Sequence, residues 1–234
     1  MPVYRIPKEF FFPPASDADP NGLLGYGGDL HPRRLLIAYQ RGIFPWYSEG
    51  QPILWFSPDP RYVLFPEKVH SPRSLKKIIR RGDYSITMDQ AFADVIQNCS
   101  VVSRPRQFGT WITSEMKEAY IALHKMGNAH SVEAWKDGKL VGGLYGVING
   151  TLFAGESMFA DAPNASKVAF IWMVQQLKCW GVKLIDCQVY TEHLERFGAE
   201  DLSRWEYLQY VRLLTQESLD TDVWKFDEGF NPLL

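Results

Sequence analysis

The chain has 234 residues, 46% of them hydrophobic, and a formal net charge of −2 from 25 basic and 27 acidic side chains. That is enough apolar material for a substantial core, as one large domain or a small domain joined to a larger one, and it carries no general charge signal for nucleic acid. No stretch approaches the ~18 apolar residues of a membrane span, and acids and prolines stand where a signal peptide needs a basic start, which predicts a cytoplasmic protein with no membrane partner.

Residues 1–60 are rich in Pro, Gly and aromatics, as in "NGLLGYGGDL", "PRRLLIAYQRGIFPWY" and "PILWFSPDPR". They predict one short helix over 32–41 between irregular, aromatic-packed turns. Gly22, Gly25, Gly27 and Gly28 have neither the spacing of a dinucleotide fingerprint nor the lysine of a P-loop, so turn geometry is expected there. From residue 61 the pattern changes to a strand over 61–66, a basic helix over 71–81, a strand over 84–88, a helix over 89–98, a loop and a helix over 113–126. In "HSPRSLKKIIRR", Ser71 is expected to cap and Pro72 to open the helix. Arg73, Lys77, Arg80 and Arg81 then fall on or near one stripe, with Leu75, Ile78 and Ile79 on the other side. Such a stripe is either a solvated face or a phosphate-binding one.

Three strands follow within 130–159, punctuated by Asp137-Gly138 and Asn149-Gly150, which are strong hairpin signals. A helix over 166–180 ends at Gly181. About ten residues starting at Gly181 then read as a central strand, and "LERFGAE" closes a short helix. Alternation puts Ile185, Cys187 and Val189 on one face and Asp186, Gln188 and Tyr190 on the other. The second face is chemistry or a polar surface, and a carboxylate on a central strand needs a partner or a ligand. Cys99, Cys179 and Cys187 have no CxxC spacing, and the five histidines are scattered, so neither disulfides nor a metal site is expected.

This order of elements matches the Gcn5-related N-acetyltransferase (GNAT) topology. The prediction is an α+β fold, a GNAT-like mixed sheet with flanking helices over 61–234, preceded by a small domain over 1–60. An enzyme using coenzyme A would want a Gly-rich turn before the second long helix to meet the pyrophosphate, and "ADAPNASK" supplies none. With no Walker, metal or Ser/His/Asp pattern, the acyl donor is expected to arrive activated on a carrier, and the basic helix suggests a polyanion.

Through "NGLLGYGGDL", "AYQRGIFPWY", "WFSPDPR", "TWIT", "HSVEAW", "LVGGLYGV", "GTLFAGESMF", "NASK" and "LIDCQV", the chain resembles the leucyl/phenylalanyl-tRNA–protein transferase family over almost its whole length. The resemblance implies transfer of Leu, Phe or Met from aminoacyl-tRNA to the N-terminal Arg or Lys of a protein destined for degradation, by a monomer without cofactor. It implies that Trp46 and Trp111 hold the terminal adenosine, and that Leu144, Phe153, Met158, Phe170, Met173 and Ile185 line the pocket for the transferred side chain. Glu156, Asp186 and Gln188 would form the reaction centre. Asp186 is expected to take the proton of the attacking amine, because the amide of Gln188 is a very poor base. Arg73, Lys77, Arg80 and Arg81 are the expected tRNA contacts. A coenzyme A-dependent acyltransferase and a non-catalytic tRNA-binding module are the alternatives.

Overall fold

The computed structural model describes residues 3–102, 111–219, 221 and 223–233. The first strands and helix are β1 (Tyr4–Ile6), β2 (Leu23–Gly27), α1 (Pro32–Tyr39), β3 (Phe44–Pro45) and β4 (Leu54–Phe56). They are followed by β5 (Arg61–Leu64), α2 (Arg73–Arg81), β6 (Ser85–Met88), α3 (Phe92–Val101), α4 (Ser114–Lys125), β7 (Ala129–Lys136), β8 (Lys139–Asn149) and β9 (Leu152–Ala160). The last are α5 (Ala165–Cys179), β10 (Leu184–Gln188), α6 (Glu192–Glu195), β11 (Glu200–Leu202) and α7 (Arg204–Leu214). No helix among the described residues is long and apolar enough to cross a membrane.

The fold is mixed α/β. A four-stranded sheet in the order β1-β2-β4-β3 uses the first 56 residues, and a seven-stranded sheet runs β11-β5-β10-β9-β8-β7-β6. In the larger sheet β10 and β9 are parallel, and every other neighbouring pair is antiparallel. Strand alternation divides the interior, so that Leu144 packs with Val132 and α5 on one face while its neighbour Tyr145 packs with α3 and α4 on the other. Leu24, Leu35 and Trp55 of the N-terminal segment join that second core.

The hairpin signals hold: Gly138 and Gly150 both have positive φ between paired strands. At Gly150 a Cβ would lie 2.1 Å from the Leu214 carbonyl oxygen, so the β8–β9 turn tucks under the end of α7 only as glycine. Residues 61–64, 85–88 and 184–188 form strands as expected, and β10 is central.

Several boundaries move for local reasons. α2 begins at Arg73, because Pro72 is extended (ψ 145°) and occupies the N-cap itself, so Ser71 does not cap. α3 starts at Phe92 rather than 89, since Asp89 is left-handed (φ 55°). The expected ten-residue strand is cut to five at Gln188, which has φ 65°. The first 60 residues carry four short strands where irregular turns are expected, and β11 and α7 have no counterpart in the sequence reading. Most of the loop expected between α3 and α4 lies outside the described residues.

Candidate active site

Leu184, Ile185 and Asp186 of β10 pair with Leu152, Phe153 and Ala154 of β9, and there the pairing stops. Two residues on, the Gln188 backbone N–H donates to Asp186 Oδ1 at 2.9 Å, a local side-chain turn that also shifts the register against β5. A side chain in the left-handed region costs ~1–2 kcal/mol, so this bond holds Gln188 in a conformation it would not choose.

Where the strands part, a cavity of about 790 Å³ opens. Gly155, Glu156, Ser157 and Met158 wall it from one side and Ile185, Cys187, Gln188 and Val189 from the other. Ser166, Lys167, Phe170 and Met173 of α5, His193 and Leu194 of α6, Trp46 and Trp111 are also on its wall.

Glu156 is buried at this wall. Its Oε1 accepts from the Tyr39 hydroxyl at 2.7 Å and from Gln188 Nε2 at 2.9 Å, and its Oε2 accepts from Tyr120 at 3.0 Å. Burial pushes its pKa up to about 7, against the pull of the two tyrosine hydrogen bonds. Proton counting agrees. Tyr39 and Tyr120 also bond each other, so two hydroxyls and one carboxylate share three contacts. An ionised Glu156 leaves one of these without a proton, and a protonated Glu156 supplies it.

Asp186 lies behind the wall and not on it. Its Oδ1 accepts from Arg61 Nε at 2.8 Å and its Oδ2 from Arg61 at 2.6 Å and Tyr207 Oη at 2.8 Å. Both partners of the ion pair are 1% exposed. The Arg61 guanidinium also lies over the rings of Phe44 and Tyr207, at 4.7 and 4.5 Å from their centroids. With four hydrogen bonds filling its oxygens, the carboxylate has no free face towards the cavity, and the direct proton-accepting role expected for it does not fit this geometry.

Leu144, Met158, Phe170, Met173 and Ile185 come together on the cavity wall, as do Trp46, Trp111, Glu156 and Gln188. Phe153 does not. It is 1% exposed, it faces Gly146, where a Cβ would meet its ring at 2.5 Å, and its ring lies 6.3 Å from that of Trp224. Arg73, Lys77, Arg80 and Arg81 are exposed on α2 and away from the cavity wall, and Arg81 pairs with Asp83. Sequence reasoning missed Arg61, Tyr207, Tyr39 and Tyr120. Only the buried-carboxylate rule pointed towards them, and it names no partner.

The one group of potential metal ligands among the described residues is Asp89, His124 and His130. His130 Nδ1 faces Asp89 at 2.6 Å and its Nε2 faces the Gly127 oxygen at 3.1 Å, while His124 Nδ1 is 2.8 Å from the Ala129 oxygen. The trio could hold a cation only by giving up these bonds.

A model of the leucyl/phenylalanyl-tRNA protein transferase family matches residues 63–212, and one of that family's N-terminal domain matches residues 28–59. A leucyl/phenylalanyl-tRNA–protein transferase of Myxococcus xanthus is 56% identical over 234 residues, covering 99% of this chain and all of its own. One of Stutzerimonas stutzeri is 59% identical over 206 residues, covering 86% of this chain and 90% of its own. Among solved structures, L-PGS from Bacillus licheniformis is a distant likeness at TM-score 0.38 and 13% identity, over 73% of this chain and 56% of that one.

Proposed function

The chain belongs to the leucyl/phenylalanyl-tRNA–protein transferase family, and from that premise we propose that its cavity receives the aminoacyl end of a tRNA together with the N-terminus of an acceptor protein. It is an aminoacyltransferase. The neutral acceptor nitrogen bonds to the ester carbonyl carbon, the carbon–oxygen ester bond breaks, and the ribose oxygen of the tRNA leaves as its hydroxyl with the proton that the amine gives up. The ester is already activated, so the task of the protein is to hold a neutral amine against the carbonyl, and no cofactor is required.

The single observation that carries this reading is Glu156, a cavity-facing carboxylate with a pKa of about 7. An α-ammonium has a pKa near ~8, so Glu156 is matched both to bind it and to take its proton, with Gln188 holding the carboxylate in place. A protein beginning with Arg or Lys brings a second positive charge to the same acid. Leu144, Met158, Phe170, Met173 and Ile185 give an adaptable apolar seat for Leu, Phe or Met, and Trp46 and Trp111 offer rings for the terminal adenine, worth ~1–3 kcal/mol per stacked base.

The finer fold reading is GNAT-like over 61–234, supported by the β7–β8–β9 meander, the crossover through α5, and the parting of β9 and β10 at the site. Transfer would take place in the cytoplasm and mark the acceptor for degradation. Incubating labelled Leu-tRNA with an Arg-initiated peptide should give a new peptide bond, and absence of labelled peptide overturns the proposal.

The basic face of α2 is proposed to follow the tRNA backbone. Reversing Lys77, Arg80 and Arg81 to Glu should raise KM for aminoacyl-tRNA and leave KM for the peptide nearly unchanged. The slope of binding against salt should fall by about one unit per lost phosphate contact. Arg81 should matter least, because Asp83 already pairs with it. An unchanged slope makes α2 a merely solvated face.

A further inference from the structure

Glu156 and Lys167 are the only full charges on the cavity wall among the described residues. The transfer just outlined uses the acid and leaves the cation without a task. Lys68, Lys178 and Lys183 are each paired with a glutamate, whereas Lys167 has no such partner among the described residues. It stands in the first turn of α5, beside Ser166 and across from His193 of α6. The Nε2 of His193 is buried without a hydrogen-bond partner. Burial, Lys167 and Arg196 together lower the pKa of His193, so the ring adds no second positive charge at neutral pH. Arg196 is itself paired with Glu192, which leaves Lys167 as the unspent cation of this end of the cavity.

The surroundings of Lys167 connect it to the basic helix. α2 packs against α5, and the His70 backbone N–H just before α2 donates to the Phe197 carbonyl at 2.8 Å, so the basic face of α2 begins beside α6. A donor seated with its side chain in the apolar wall and its adenine at the tryptophans carries its first phosphodiester on the 5′ oxygen of that same adenosine. It is the nearest fixed anion to the reacting ester.

Resting on the aminoacyl-tRNA reading, we propose that Lys167 is the phosphate-binding residue of the cavity: its ammonium takes the phosphodiester 5′ of the terminal adenosine of the donor and carries the basic face of α2 into the active site.

The test uses two donors on the full-length protein: Leu-tRNA, and leucyl-adenosine, which has no phosphate. Lys167→Gln should raise KM for Leu-tRNA about tenfold, the scale of one charge-assisted contact, while kinetics with leucyl-adenosine move by less than about twofold. Lys167→Arg should restore most of the loss, and the salt slope for Leu-tRNA should fall by about 0.7 to 0.9 unit. An equal change with both donors, or no change with either, overturns the assignment. If the parent accepts Leu-tRNA but not leucyl-adenosine, the salt slope decides, and an unchanged slope overturns it. A parent that transfers from neither donor removes the aminoacyl-tRNA reading itself.

Discussion

Replacing Asp186 by Asn is expected to slow single-turnover transfer by at least ~10²-fold and to cost the fold about 3–5 kcal/mol, and Arg61→Met is expected to do both as well. The stability loss follows from burial. Either change leaves the other charge at 1% exposure without its partner, and an uncompensated buried ion is far more costly than a missing surface pair. The rate loss follows from Gln188. Asp186 fixes its left-handed backbone, and Gln188 in turn donates to Glu156, so loosening the first bond displaces the group that faces substrate. Misplacement by about 1 Å is enough for a loss of that size.

The pair also separates two mechanisms for Asp186. As a positioning residue it must fail in the same way whether its own charge or that of Arg61 is removed, and raising the pH must not rescue either variant beyond the parent. The double variant Arg61→Met with Asp186→Asn should melt above either single one, because no unpaired charge remains, while still transferring slowly. Slow Asp186→Asn beside a parental Arg61→Met would mean that Asp186 acts directly on the proton. Parental rate and melting in both would make the pair dispensable.

What the sequence made legible here was what depends on neighbours in the chain. Asp137-Gly138 and Asn149-Gly150 set the meander through their own backbone preferences, and the apolar run before Gln188 is a central strand because both its faces are covered. The active-site partners are not local. Arg61 and Asp186 are 125 residues apart, Tyr39 and Glu156 117, and no periodicity links them. Alternation assigned Asp186 and Gln188 to one face, and it fails because the turn that their own hydrogen bond makes lies between them. Short strands such as Phe44–Pro45 escape because two or three residues carry no period, whereas α7 does carry a local signal, the Ser203–Glu206 capping box followed by Tyr207, Val211 and Leu214 at helical spacing, which the sequence reading does not use. Phe153 shares the α5-side core with Leu144, Phe170, Met173 and Ile185, which is why it reads as a pocket residue, but its ring is spent against Gly146 and near Trp224, away from the opening.

Glu156→Gln should reverse the effect of alkali on the reaction. In the parent, the productive encounter joins an ionised Glu156 to an acceptor ammonium. kcat/KM for the peptide should therefore rise as Glu156 ionises through pH about 7 and fall as the acceptor loses its proton near pH ~8. Without the carboxylate only the minor neutral amine can attack. The variant should be about 10²-fold slower at pH 7, in the range of a lost general base, and should climb steadily through pH ~8 to a plateau, so that the gap to the parent narrows at pH 9. Stability gives a second readout with its own sign. The folded pKa of about 7 lies above the ordinary 4.5, so between these values the native state holds a proton that the unfolded chain has released. The contribution of this group is thus most favourable below pH about 4.5 and is lost as pH rises through about 7, by roughly 3 kcal/mol in all. The glutamine variant has no such proton, so its melting temperature should fall less than that of the parent between pH 5 and pH 8. Superimposable pH–rate profiles for the two proteins would remove Glu156 from the proton transfer, and equal melting shifts would return its pKa to the ordinary carboxylate range.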